Sequence, residues 1–171
     1  MRLVQEIMTK NPACATPEMS LVEVAQLMRK FDCGEIPVVY SLSDKKMLGV
    51  ITDRDICNRA VALGLNPLSM SAEECMSYPA ISVKKTTTIE DCCQIMQDNQ
   101  IRRLPVLDEK ENCCGIVSLS DIARFSEDYL AAEVVKNISQ PSVNKTSIYV
   151  CLLYTSPSPR DLSTSRMPSS A

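Results

Sequence analysis

Apolar residues at Leu21, Val24, Ala25, Leu27, Met28 and Phe31 recur at the spacing of one helix face. The pattern predicts a helix that Ser20 caps and that runs to about residue 31. Before it, a short helix carries Val4, Ile7 and Met8, Asn11-Pro12 breaks that helix, and residues 13–16 are extended. After it, Ile36-Pro37-Val38-Val39-Tyr40 reads as a strand with proline near its start, where the missing N–H is tolerated. Residues 41–46 are a polar turn, residues 47–52 a second strand, and residues 53 to about 63 a second helix. The unit is β-α-β-β-α.

The same pattern then runs again. Residues 80–84 are extended, 88–99 a helix, 103–108 a strand, 109–112 a turn, 113–118 a strand and 119 to about 135 a helix. Met8 answers Met76, Leu21 answers Ile89, Met28 answers Met96, Pro37 answers Pro105, Gly49 answers Gly115 and Asp55 answers Asp121. A unit of roughly 50 residues is marginal as a lone domain. Two copies are too few for a solenoid. The economical architecture is an α/β (α+β) fold in which the copies pack around a pseudo-two-fold axis and leave two quasi-equivalent clefts between them. The expected organisation is a first repeat over 1–65, a second repeat with its C-terminal helix over 66–147, and a tail over 148–171. That tail is dense in Ser, Thr and Pro, lacks amphipathic period, and resembles translated adapter or vector sequence.

The composition removes several chemistries. There are nine cysteines and no histidine in the 171 residues. The cysteine count is odd, no C-x-x-C spacing occurs, and Cys92–Cys93 and Cys113–Cys114 are adjacent, a poor arrangement for zinc. Reduced, largely buried thiols in a cytoplasmic protein are the simplest reading. No signal peptide is expected, because MRLVQEIM is short and charged. A formal charge of −3 gives no general attraction to nucleic acid or to an anionic membrane. The longest apolar run, 148–154, falls well short of a membrane span. Without histidine, a G-x-x-x-x-G-K-[ST] loop or a G-x-S-x-G turn, an enzyme ranks behind a binding module.

The strongest site signal is Gly49-Val-Ile-Thr52-Asp-Arg-Asp55, echoed by Gly115-Ile-Val-Ser118-Leu-Ser-Asp121. In each, a strand ends at a hydroxyl residue and an aspartate follows in the first helical turn. Backbone N–H groups and a hydroxyl suit a phosphate, and a carboxylate suits a ribose diol. Ser/Thr-x-x-Asp/Glu is equally a capping box. The chain uses it elsewhere, at Ser20-x-x-Glu23, Ser71-x-x-Glu74 and Thr88-x-x-Asp91. Both readings remain open on spacing alone.

In their order and duplication, I-M-T-K-N-P, I-P-V-V, G-V-I-T-D-R-D-I, Q-I-R-R-L-P-V-L-D and G-I-V-S-L-S-D-I resemble a tandem pair of cystathionine-β-synthase (CBS) domains, a Bateman module, over roughly residues 4–135. The resemblance implies the β-α-β-β-α fold and no catalytic residues. It implies clefts for adenosine-containing ligands: AMP, ADP, ATP (with Mg possible) or S-adenosylmethionine. Asp55 and Asp121 would hold ribose, with Thr52 and Ser118 near ribose or phosphate. Ile36-Pro37-Val38, Leu104-Pro105-Val106, Cys14-Ala15 and Ser82-Val83 would flank adenine. It implies no obligatory cofactor.

The copies differ where a ligand would sit. Arg102 and Arg103 precede Leu104-Pro105, whereas Gly34 and Glu35 precede Ile36-Pro37. An arginine fork suits phosphate and a glutamate repels it. Arg54 adds a cation beside Asp55. A solvated strand edge is the competing reading of the two arginines. One tight cleft with arginine and one weak cleft facing Glu35 are expected; which cleft receives the arginines stays open, because residues of both copies line each one. The leading function is a regulatory nucleotide-binding module acting on an unknown effector protein; the alternative is a structural dimerisation module with empty clefts. A homodimer is expected through Ile56/Ala60/Leu63 and Ile122/Phe125.

Overall fold

The computed structural model describes residues 2–125 and 128–139. Its elements are α1 (Val4–Ile7), β1 (Thr9–Lys10), α2 (Leu21–Phe31), β2 (Glu35–Val39), β3 (Met47–Thr52), α3 (Asp53–Arg59), α4 (Ala72–Cys75), β4 (Val83–Lys84), α5 (Ile89–Asn99), β5 (Arg103–Leu107), β6 (Cys113–Ser118), α6 (Leu119–Phe125) and α7 (Asp128–Ile138). The α+β arrangement follows the sequence pattern closely. The helix expected over 53–63 stops at Arg59. One 3-10 turn, Val61–Leu63, follows it, and Gly64 closes that turn at φ +70°, a conformation suited to glycine. The tail over 148–171 lies outside the described residues.

Each hairpin is antiparallel. Glu35 faces Thr52 in β2–β3, and Arg103 faces Ser118 in β5–β6. The four-stranded sheet runs β1-β6-β5-β4. Its outer strand β1 comes from the start of the chain: Thr9 pairs with Ile116 and Lys10 with Gly115. The first copy's sheet has the same plan in reduced form. Ala15 bridges Val38 in parallel, and Ser77 bridges Val50.

The two copies therefore exchange their opening segments. The bridge Leu3–Thr88 is matched by Ser71–Ser20. Val4 N–H donates to Thr87 O at 2.9 Å, as Ala72 N–H donates to Met19 O at 2.8 Å. Lys46 bridges Asn112, its own counterpart, so the pseudo-two-fold axis passes through that contact. The left-handed residues repeat too: Asp32 and Gln100 end α2 and α5, and Lys45 and Glu111 turn the hairpins. Packing thus interleaves what the chain presents in series, and the described residues lie within one compact unit.

The exchange is apolar. Val4 and Ile7 are buried in the second copy's core with Leu104, Val106 and Ile122, while Ala72 and Cys75 are buried in the first copy's core with Val24, Ile36 and Ile51. Burial of a valine or isoleucine of this kind is worth about 1.5–3 kcal/mol. The glycines answering one another permit the crossing. A Cβ on Gly49 would stand 2.7 Å from Ser77 O, and one on Gly115 would overlap Met8 Sδ.

The expected dimer surface needs correction. Ala60 and Ile122 are fully buried in the two cores and cannot meet a partner. Their apolar character serves the fold. Leu63 and Phe125 are exposed, as are Val61, Leu65 and Leu68 beside the link between the copies. Among the described residues no helix is long and apolar enough to cross a membrane.

Candidate ligand-binding site

The two strand–helix junctions are built alike. At the first, Asp55 N–H donates to Thr52 Oγ1 at 3.0 Å, while Thr52 N–H and Oγ1–H donate to Asp55 Oδ2 at 3.0 and 2.6 Å. At the second, Asp121 N–H donates to Ser118 Oγ at 3.2 Å, and Asp121 Oδ2 accepts from Ser118 N–H and Oγ–H at 2.9 and 2.6 Å. Capping therefore occupies one oxygen of each carboxylate. The other oxygen, Oδ1, is what remains for a ligand. Capping and binding are compatible at the same aspartate, because an ionised carboxylate offers about four acceptor positions.

The two Oδ1 atoms differ in their surroundings. Asp55 Oδ1 lies 3.3 Å from Arg59 Nη2. Arg59 is itself held, donating to Cys75 O at 2.8 Å, Met76 O at 2.6 Å and Ser77 Oγ at 3.0 Å. It clamps the first junction to the exchanged segment. Asp121 Oδ1 accepts from Arg124 Nη2 at 3.1 Å. Arg124 is 68% exposed and also donates its Nε–H to Ser120 O at 3.3 Å. A ligand displaces an exposed, loosely held arginine at lower cost than a clamped one.

Asp121 opens onto a cavity of about 510 Å³ with walls from both copies. Lys10, Pro12, Ala13, Glu35 and Ile36 come from the first copy, and Arg103, Ile116, Ser118, Asp121 and Arg124 from the second. That volume falls within the ~300–1,000 Å³ typical of small-molecule sites. Ala13, Pro12, Ile36 and Ile116 supply an apolar part, and Ser118, Asp121 and the charged side chains a polar part. An adjoining cavity of about 430 Å³ is lined by Arg102, Arg103, Ser120 and Val135.

Of the residues expected at a site, Ile36, Arg103, Ser118 and Asp121 meet in the larger cavity. Thr52 and Asp55 form the other junction. Arg54 is exposed, and Arg102 faces only the adjoining cavity of these two. Ala15, Val38, Val83, Leu104 and Val106 have side chains in the cores, so only their backbones remain to frame a ligand. Pro37 and Pro105 are buried within their strands, and Ser82 is half-buried just before β4. Cys14 turns away from the cavity into a cluster with Val39, Leu107 and Cys113. A hydrogen bond with the Cys113 thiol, aided by the Lys45 charge, lowers the Cys14 pKa, and the same bond and burial push Cys113 up. Pro12 and Ala13 take the wall position expected of Cys14 and Ala15.

The expected division into an arginine cleft and a glutamate cleft is not what the fold builds. Glu35 and Arg103 open quasi-equivalent strands and line the same cavity. The Arg103 guanidinium reaches across the axis: a Cβ on Gly34 would lie 3.5 Å from its Nη1 and 2.8 Å from Asp53 Oδ2. Glu35 is 8% exposed. Burial pushes its pKa up to about 7, with the Arg103 charge opposing and Asp55 adding to the rise. Its Oε1 has no hydrogen-bond partner among the described residues. Arg59 and Arg124 were legible as partners four and three residues beyond their aspartates on a helix. The cavity role of Glu35 was not.

A two-copy α+β scaffold with exchanged openings and a cavity lined by both copies defines a tandem-repeat module. The CBS domain pattern matches residues 4–62 and 72–128, and the chain belongs to the CBS domain family as a tandem pair. It is 32% identical over 141 residues to hypoxic response protein 1 of Mycobacterium tuberculosis, covering 82% of this chain and 96% of that one. It is 34% identical over 145 residues to the CBS domain-containing protein YhcV of Bacillus subtilis, covering 84% and 100%. Among solved structures, hypoxic response protein I with two coordinated zinc ions superposes with a TM-score of 0.66 at 32% identity, covering 74% of this chain and all of that one. The CBS domain pair of protein MJ0100 in complex with 5′-methylthioadenosine and S-adenosyl-L-methionine gives 0.65 at 28% identity, covering 72% and 98%. Among the described residues no group of three or more Cys, Asp or Glu is arranged to hold a metal ion.

Proposed function

We propose that this chain is a regulatory module that binds an adenosine-containing ligand in the Asp121 cavity and passes its occupancy to an effector protein, with no catalysis of its own. The observation that carries the reading is Asp121, whose Oδ1 is left over from capping, in the lining of a cavity whose walls come from both copies. Apolar walls at Ala13 and Ile116 suit a purine. The complex of the MJ0100 pair with two adenosine compounds supports that ligand class. AMP, ADP, ATP with Mg, and S-adenosylmethionine are the compounds to compare. Because both copies line the site, ligand favours one arrangement of the copies by its differential affinity. Micromolar affinity, about −7 to −8 kcal/mol, is the scale expected of such a ligand. Calorimetry with those four compounds tests it, and no heat at millimolar ligand would overturn it.

The first junction supports a second, structural reading. Asp55 is tied through Arg59 to the exchanged segment and acts there as a fold element. A homodimer through the exposed Val61, Leu63, Leu65 and Leu68 accompanies the proposal. Sedimentation at tens of micromolar tests it, with a monomer as the contrary result. Regulation from the cytoplasm accords with the reduced cysteines.

A further inference from the structure

Two thiols from different copies meet beside the pseudo-two-fold axis, and neither lines the Asp121 cavity. Cys14, in the segment after β1, and Cys113, at the start of β6, are buried in one small cluster with Val39 and Leu107. Backbone bonds hold their segments side by side. Lys10 pairs with Gly115 in β1–β6, and Asn11 N–H donates to Cys114 O at 3.0 Å. Lys45 ties the same place together: its O accepts from Cys113 N–H at 2.8 Å, and its Nζ donates to Pro12 O at 3.4 Å. Within this frame the two thiols hydrogen-bond to each other. That bond, then the Lys45 charge, favours the Cys14 thiolate against the effect of burial, while Cys113 stays a thiol. Cys14 is also the more accessible of the two, 7% exposed against 2% for Cys113.

The fold does not require thiols here. Ala15 bridges Val38 as Val83 pairs with Val106, so Cys14 answers Ser82. Met47 faces Val39 as Cys113 faces Leu107, so Cys113 answers Met47. The quasi-equivalent positions therefore carry a hydroxyl and a thioether, and these cannot form a disulfide.

We propose that Cys14 and Cys113 are a redox pair, oxidised by a peroxide to a disulfide that clamps one copy to the other across the axis. The Cys14 thiolate attacks one oxygen of hydrogen peroxide and the O–O bond breaks. Cys14 becomes a sulfenic acid, and the departing hydroxide takes up the proton that the Cys14 thiol gave away, leaving as water. The Cys113 sulfur then attacks the Cys14 sulfur. The S–S bond forms, the S–O bond breaks, and the second hydroxide leaves with the Cys113 proton as water. In all, two thiols give two electrons to the peroxide, and two waters form. A dithiol reductant reverses the step by exchange. The bond closes a loop of about 100 residues, so it removes conformations chiefly from the unfolded chain. It also pins the segment whose Pro12 and Ala13 line the cavity.

The test is peroxide treatment of the reduced full chain, with a small excess of hydrogen peroxide, followed by alkylation in denaturant and peptide mapping. Trypsin releases 11–29, which carries Cys14, and 111–124, which carries Cys113 and Cys114. Mass spectrometry should find these two peptides joined, about 2 Da below the sum of their masses, and separated again by dithiothreitol. On a non-reducing denaturing gel the product should run as a single chain. Cys114→Ser should keep the cross-link, and Cys14→Ser and Cys113→Ser should abolish it, with melting curves recorded to confirm folding. The cross-linked chain should melt about 5 °C or more above its reduced form. Cys14 and Cys113 still open to alkylation while the exposed Cys57 is oxidised would overturn the proposal, and this comparison needs no variant. A bond that forms on Cys114 or between two chains overturns it as well, as does a cross-linked chain that melts no higher than the reduced one.

Discussion

Replacing Glu35 with glutamine should make stability less dependent on pH. The carboxyl titrates near 7 in the folded chain against an ordinary value of 4.5. The folded state therefore binds more protons than the unfolded state between those values, and stability falls as pH rises through that window. The penalty is absent below about pH 4.5 and complete above about pH 7. The rise from 4.5 to about 7, at about 1.4 kcal/mol for each tenfold change in proton affinity, gives about 3.5 kcal/mol. At 8% exposure, solvent screening takes little from it. Arg103 already opposes the rise and Asp55 adds to it, so the figure includes both neighbours. Glutamine keeps the shape, cannot ionise, and carries its own unpaired amide cost of about 1–3 kcal/mol. The pH-dependent part is accordingly the quantity to read. Urea unfolding of both proteins at pH 5, 6, 7 and 8 gives it by linear extrapolation. The variant should gain about 2–3 kcal/mol on the unmodified protein between pH 5 and 8. Parallel curves would show that Glu35 ionises at an ordinary carboxylate pKa and that Arg103 or solvent satisfies it.

Three further outcomes follow from the fold. Gly49→Ala should cost about 1–3 kcal/mol, because the new methyl meets the Ser77 carbonyl, which is backbone; Gly115→Ala meets chiefly the flexible Met8 thioether and should cost less, by urea unfolding of each. Arg59→Ala removes three hydrogen bonds and an ion pair; with Arg59 43% exposed, the loss should be about 1–3 kcal/mol, seen as a fall in Tm of about 2–10 °C, with ligand affinity at Asp121 changed less than about threefold. Alkylation of the native protein at pH 8 should reach the exposed Cys57 well before the buried Cys92 and Cys93, because burial pushes those two to about 12 and 11; peptide mapping showing Cys92 lost as early as Cys57 would contradict the packing.

Much of the architecture was legible because its signals are local. The helical spacing from Leu21 to Phe31, the proline-started strands and the two Gly-apolar-apolar-Ser/Thr junctions each need only a short window. Duplication then implied a pseudo-two-fold axis. The exchange of openings was hidden, since four-residue helices and two-residue strands carry almost no periodicity of their own. Its trace lay in Gly49 and Gly115, which answer each other because a chain crosses each of them. Ala60 and Ile122 looked like surface stripes and proved to be core, because the face they occupy packs inward on the exchanged segments' side of each copy. At the site, Asp121 and Ser118 came from the motif. Glu35 was expected in a cleft apart from the arginines, since no local pattern says that the starts of these two strands line one cavity.

The central claim is that Asp121, and not its counterpart Asp55, presents the ligand site. The most direct measurement is calorimetric titration of the unmodified chain, Asp55→Ala and Asp121→Ala with the same adenosine-containing ligand, each checked for folding by its melting curve. Each substitution removes a cap and should cost about 1–2 kcal/mol of stability. The account predicts about one micromolar site per chain, retained in Asp55→Ala and weakened by roughly 1.5–3 kcal/mol, or tenfold and more, in Asp121→Ala. Unchanged affinity in folded Asp121→Ala, or loss confined to Asp55→Ala, would contradict it.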